Sequence, residues 1–153
     1  MKNFEYIVVH ISDSFWGCAR EVRKWHLAKG WRDIGYHFIV LNGIILPNFP
    51  LTPLNGSIEV GRYLDANFTV EENEIGAHTL GYNDKSIGIC VIGKENWTVS
   101  QEVSVIYLCR TLMKWFNIPV QNVLGHCETK SGKKQGKTCP NYPMDVIRAK
   151  IIE

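Results

Sequence analysis

Two stretches of apolar, largely β-branched residues do most to limit the folds open to this chain. Tyr6-Ile7-Val8-Val9-His10-Ile11 and residues 86–93 are apolar almost without interruption over a strand's length. Strands that alternate would leave one face to water; continuous runs read as strands covered on both faces. Helical patterns lie after each. Residues 19–29 keep Val22, Trp25 and Ala28 at helical spacing, with Gly30 suited to the position just past a helix end. Thr98-Val99-Ser100-Gln101 fits a capping box, and the helix it opens runs to about Phe116, where Pro119 is expected to stop it. That helix is apolar on most of its circumference, which predicts deep packing. Further strands are expected at residues 36–41, 58–60 and 123–124, and a last helix after Pro143. Asn42-Gly43 and Asn55-Gly56 are turn signals. Pro47, Pro50 and Pro53 between them exclude a central strand and predict an edge excursion. Strands alternating with helices, interrupted by hairpin signals, predict an α/β fold: a mixed central β-sheet flanked by helices.

The chain has 153 residues, the length of one domain, expected to span 1–153. Surface scaling for this mass buries about 69% of the extended chain's surface, enough for a core without covalent staples. With 45% hydrophobic and 21% charged residues the chain is not disordered. No apolar run approaches a membrane span of roughly 18–20 residues, so no membrane insertion is expected. Seventeen basic against fifteen acidic residues, a formal charge of +2, is too balanced to predict a nucleic-acid partner. Five cysteines fit no small disulfide scaffold and point to folding in a reducing compartment. The first residues have no apolar signal-peptide region, which predicts accumulation in the cytoplasm. A monomer is expected.

Three residues carry potential metal chemistry. His10 ends a buried strand, His126 follows Val123-Leu124-Gly125, and Cys139 lies in Lys137-Thr138-Cys139-Pro140. Singly they read as core histidines and a free thiol. Together, two imidazoles and a thiolate are donors that zinc prefers, and three protein ligands leave a fourth position for water, as in catalytic sites. Twelve residues separate His126 from Cys139 and His10 is remote, so the spacing is not that of a zinc finger.

The wider pattern is more specific. Val8-Val9-His10 is followed by Arg23-Lys24-Trp25-His26 and Gly30-Trp31-Arg32-Asp33-Ile34-Gly35-Tyr36-His37-Phe38. Then come Gly61-Arg62, Gly76-Ala77-His78-Thr79-Leu80-Gly81-Tyr82-Asn83, Ser86-Ile87-Gly88-Ile89-Cys90, Gly125-His126 and Lys137-Thr138-Cys139-Pro140. In this order, over nearly the whole chain, the sequence resembles the zinc-dependent N-acetylmuramoyl-L-alanine amidases, the family of T7-type phage lysozymes and peptidoglycan recognition proteins. The resemblance implies zinc held by His10, His126 and Cys139, with Tyr36 and Lys137 as catalytic residues. It places His78 and Asn83, with His37, as substrate-binding residues. The implied substrate is peptidoglycan, cut at the amide joining muramic acid to the L-alanine of its stem peptide. Zinc would supply water activation and polarisation; Lys137 would stabilise the oxyanion, and Tyr36 would position the water or carbonyl. Related cytoplasmic amidases carry Glu where this chain has Cys90, which leaves the general base open.

The absence of a wall-binding segment and of a signal looks like a phage or prophage endolysin released through a holin. The rivals are a non-catalytic muropeptide-binding module, a regulator of a phage RNA polymerase, and an amidase delivered by a secretion system against competing bacteria. Two insertions depart from the family pattern. Residues 43–53 either fold Ile44, Ile45, Leu46, Phe49 and Leu51 onto the body or form an extra wall. Residues 131–136 read either as a basic, flexible, solvated loop or as a segment that attracts acidic stem-peptide or envelope groups. Trp25, Trp31 and Trp115 are expected in the core, and Trp16 is placed near the groove. His26 is expected to be structural, and for His37 a structural role stands beside the substrate-binding one that the resemblance implies.

Overall fold

The computed structural model describes residues 3–153. In chain order its elements are β1 (Tyr6–Ile11), α1 (Ala19–Ala28), β2 (Phe38–Val40), β3 (Ile44–Leu46), β4 (Phe49–Pro50) and β5 (Ile58–Val60). These are followed by β6 (Ser86–Val91), α2 (Val99–Phe116), β7 (Val123–Gly125), α3 (Lys130–Lys134) and α4 (Met144–Ile151). Short 3₁₀ turns join several of them.

The two continuously apolar runs become β1 and β6, and they pair in parallel at the centre of a five-stranded sheet ordered β5-β2-β6-β1-β7. β7 and β2 extend the sheet in parallel, and β5 closes one edge antiparallel to β2. The expected mixed sheet is therefore present. Alternation along the strands divides the core into two layers. Ile7, Val9 and Ile11 of β1 and Ile87, Ile89 and Val91 of β6 enter the layer that holds Val105, Leu108 and Leu112 of α2 and Ile147 of α4. Ile39, Leu41, Cys90 and Ile92 point the other way, where Ala19 and Val22 of α1 cover them. His10 shares that second face with its registered neighbour Cys90.

Several local expectations change. α2 has the expected capping box, with the Thr98 hydroxyl accepting from Gln101 N–H at 3.0 Å and Gln101 Oε1 accepting from Thr98 N–H at 2.9 Å. It ends at Asn117, in the left-handed region at φ 54°, before Pro119 is reached. It is not buried all round: Val99, Val103, Tyr107 and Trp115 of α2 face solvent. Trp31 is also exposed, so two of the three tryptophans expected in the core lie outside it. Proline forces residues 43–53 out of the main sheet into a separate ribbon of β3 and β4, with Ile44 and Ile45 partly buried and Leu46, Phe49 and Leu51 exposed. Residues 131–136 are not a loose loop: α3 takes up most of the segment, with the Thr129 hydroxyl accepting from Gly132 N–H at 3.0 Å.

Candidate metal centre and cleft

Parallel strands collect ligands at their carboxyl ends, and that is where the chemistry-bearing side chains meet. His10 is the fifth residue of β1, and His126 immediately follows β7, one step beyond the Val9–Gly125 pair. The two rings lie 4.6 Å apart between centroids. Cys139 arrives on the segment after α3. Its Cys139 carbonyl accepts from Cys127 N–H at 2.8 Å, and Ile11 N–H donates to its Sγ at 3.2 Å. One donor atom from each of His10, His126 and Cys139 lies within 4.8 Å of the others. These three line a cleft of about 620 Å³ together with Tyr36, His78 and Lys137. Cys127, next to His126, is not part of the group; it sits in a 3₁₀ turn rather than on the strand.

Packing fixes each donor. The turn carrying His126 is clamped by Glu128, which accepts from Gly125 N–H at 2.8 Å and pairs with Arg148 of α4 through both carboxylate oxygens, each at 2.8 Å. Gly132 of α3 lies so close that a Cβ there would sit 1.9 Å from the His126 carbonyl oxygen. Only glycine lets α3 pack against that carbonyl. On the far side of the Cys139 segment, Trp97 stacks on Tyr142 at 4.4 Å and donates its indole N–H to the Pro140 carbonyl at 3.2 Å.

The electrostatics suit a cation. Burial first, then the neighbours His78, His126 and Lys137, hold His10 well below the usual imidazole value. Burial and Lys137 likewise lower His126. Both are therefore neutral near pH 7, the form that ligates. Burial pushes the Cys139 thiol up to about 11, with the Ile11 N–H and the Lys137 charge acting in the opposite sense. An ion in the cleft would reverse that balance, since a coordinating thiol gives up its proton. Burial raises Tyr36 well above the usual phenol value, reinforced by Cys90 and Cys139, and its ring lies 5.1 Å from that of His10 between centroids.

The expected substrate-binding residues divide. His78 lines the cleft, with Nδ1 2.9 Å from His10 Nε2. His37 does not: it has no exposed surface, its Nε2 meets the Glu74 carbonyl and its Nδ1 accepts from Gly88 N–H at 2.9 Å. Both ring nitrogens are used inside the fold, so His37 is a structural residue. Asn83 also works internally, its Oδ1 accepting from His78 N–H and Thr79 N–H, each at 2.8 Å. His26 accepts from Gly35 N–H at 2.8 Å and so steadies the backbone before Tyr36. Trp16 packs edge-on against Trp25 and borders a separate cleft with Phe15 and Ile44. Residues not singled out from the sequence also line the metal cleft: Lys29, Asn141 and Asp13, the sole carboxylate among its lining side chains. Asp13, three residues after His10 and two beyond the end of β1, was a signal available in the sequence.

Comparison with known proteins agrees with this geometry. The family described as N-acetylmuramoyl-L-alanine amidase matches residues 1–142. The endolysin of Escherichia phage T7 is 31% identical over 134 residues, covering 82% of this chain and 71% of the relative. Among solved structures, the N-acetylmuramoyl-L-alanine amidase LysC from Clostridium intestinale superposes with a TM-score of 0.75 at 28% identity, over 99% of this chain and 87% of that one. A variant of Drosophila PGRP-LB in complex with tracheal cytotoxin gives 0.66 at 26% identity, over 92% and 76%. The chain belongs to the N-acetylmuramoyl-L-alanine amidase family, whose sequence blocks, central sheet and clustered His/His/Cys donors it carries.

Proposed function

We propose that the chain is a zinc-dependent endolysin that cleaves peptidoglycan between muramic acid and L-alanine, with zinc on His10, His126 and Cys139. The observation that carries this reading is the convergence of those three donors in a cleft that Tyr36 and Lys137 also line. Two neutral imidazoles and a thiol fit zinc, and three protein ligands match the catalytic rather than the structural type of site. A bound zinc would supply Lewis-acid polarisation of the amide carbonyl and activation of water.

The chain's own groups would do the rest. The Lys137 ammonium faces the histidine pair and would donate to the oxyanion as the carbonyl carbon becomes tetrahedral. Tyr36, kept protonated, would donate rather than abstract, orienting the carbonyl or the water. Cys90 is buried and burial raises its thiol well above the usual value, so it is not a base. Lys29 and Lys137 on the cleft wall favour the carboxylates of stem peptides. Among the described residues no helix is long and apolar enough to cross a membrane. The endolysin name of the T7 relative supports action on the cell wall, reached after release from the producing cell.

Digestion of purified peptidoglycan, with products read by mass spectrometry, tests the reading. Stem peptides beginning at L-alanine and intact glycan strands are expected with zinc, and neither with a chelator or with Cys139→Ala. Muropeptide binding without product would make the chain a binding module instead.

A further inference from the structure

His10 Nε2 is 2.9 Å from His78 Nδ1 and 3.2 Å from the Thr79 hydroxyl. His78 Nδ1 is also 2.9 Å from that hydroxyl. The other nitrogen of His78, Nε2, is 3.3 Å from the Ser86 hydroxyl, which donates to the Tyr82 carbonyl at 2.8 Å. The last group fixes the sense of the whole chain, because a carbonyl only accepts. Ser86 spends its proton on Tyr82 and must accept from His78 Nε2–H. A neutral His78 then has a bare Nδ1, which accepts the proton on His10 Nε2, directly or through the Thr79 hydroxyl. His10 is left with an unprotonated Nδ1.

The slot for His78 is built into the backbone. A Cβ at Gly88 would meet the His78 ring at 2.7 Å, and one at Gly76 would meet it at 2.8 Å. Any larger residue at either place would displace the imidazole. Gly88 lies on the central strand β6, so the ring is seated on the sheet rather than on a mobile loop.

We propose that His78 is a positioning residue of the metal site: the chain Tyr82 carbonyl–Ser86–His78 sets the tautomer and the ring orientation of His10, so that Nδ1 faces the ion. This inference rests on the zinc reading and assigns His78 a task different from substrate binding. Groups that orient a ligating histidine in this way typically contribute 10- to 100-fold in metal affinity.

The test is zinc affinity, by competition with a chromophoric chelator, together with the visible spectrum of the cobalt-substituted protein. His78→Leu is expected to weaken zinc binding roughly 10- to 100-fold and to alter the cobalt bands. His78→Asn, whose side-chain oxygen can replace Nδ1 as acceptor, should recover most of the affinity. Ser86→Ala, which frees the proton direction at the far end, gives an intermediate loss and serves if His78→Leu does not fold. Thermal unfolding of each metal-free variant separates loss of fold from loss of ligand orientation. Wild-type affinity and unchanged cobalt bands in folded His78→Leu would overturn the proposal. Failure of the zinc reading itself looks different: the wild type and Cys139→Ala would then bind zinc equally poorly.

Discussion

Tyr36 and His37 are adjacent residues with opposite tasks, and the difference lies in where each side chain finds its partners. Tyr36 stands in the wall of the cleft against the His10 ring, whereas His37 vanishes between Glu74 and Gly88. With its pKa raised by burial, the Tyr36 hydroxyl is a donor throughout the neutral range. Removing a donor aimed at developing charge costs about 10²- to 10³-fold in turnover. Tyr36→Phe should therefore lower kcat by roughly that factor, with KM and zinc affinity nearly unchanged. Initial rates of stem-peptide release on a soluble muropeptide check this; a kcat within threefold of wild type would remove Tyr36 from the chemistry. The cluster of His10, His126 and Cys139, with Tyr36 and Lys137 in the same cleft, was legible because the family pattern names these residues one by one. For His37 the sequence left a structural and a substrate-binding reading side by side, because its two bonding partners lie 37 and 51 positions away. The bonds that Asn83 Oδ1 makes to His78 and Thr79 were not legible for a related reason: an amide in a turn looks the same in sequence whether it faces a ligand or its own backbone.

Elements show the same dependence on distant contacts. α3 is five residues long, too short to persist alone, and its Ser/Gly/Lys composition reads as loop. Docking against the turn that carries His126 makes it a helix. That docking has one weak point, the contact between Gly132 and the His126 carbonyl. Gly132→Ala must move either α3 or His126, since its Cβ would overlap the His126 carbonyl oxygen at 1.9 Å and backbone does not give way without rearrangement. Overpacking of this kind costs about 1–3 kcal/mol, and displacement of a ligand's backbone should weaken zinc as well. Urea unfolding of the metal-free protein and zinc competition measure the two effects, with exposed Lys133→Ala expected within about 0.5 kcal/mol of wild type. If Gly132→Ala matched Lys133→Ala in both, α3 would be an appendage rather than a support. β1, β6 and α2, by contrast, were readable within a residue or two. Their signals, continuous apolar runs and a capping box, are local.

On the scale of the whole molecule, the sheet separates an apolar layer under α2 and α4 from a layer that admits histidines. The alternation of strands and helices announced such a sheet, but strand order and register depend on pairings between β1, β6 and β7 that no local pattern encodes. Placing imidazoles in the second layer makes the fold sensitive to acid. His37 is fully buried, and burial lowers its pKa to about 4; His26 is also lowered to about 4, by burial and then by Lys29 and Arg62. In the unfolded chain each would titrate near 6.5. Between those values the unfolded state takes up protons that the folded state refuses, so stability is complete above about pH 6.5 and falls as the pH drops towards 4. For His37 alone the loss from pH 7 to pH 5 is about 2 kcal/mol, and His26 adds in the same direction. Ordinary carboxylates titrate lower and contribute little over that interval. Urea unfolding at pH 7, 6 and 5 in the presence of a chelator, which removes any metal contribution, should show this decline. The ring signals of His37 in the folded protein should remain those of a neutral imidazole down to pH 5. A flat stability profile, or a His37 that titrates near 6.5, would mean that the second layer admits charge and water.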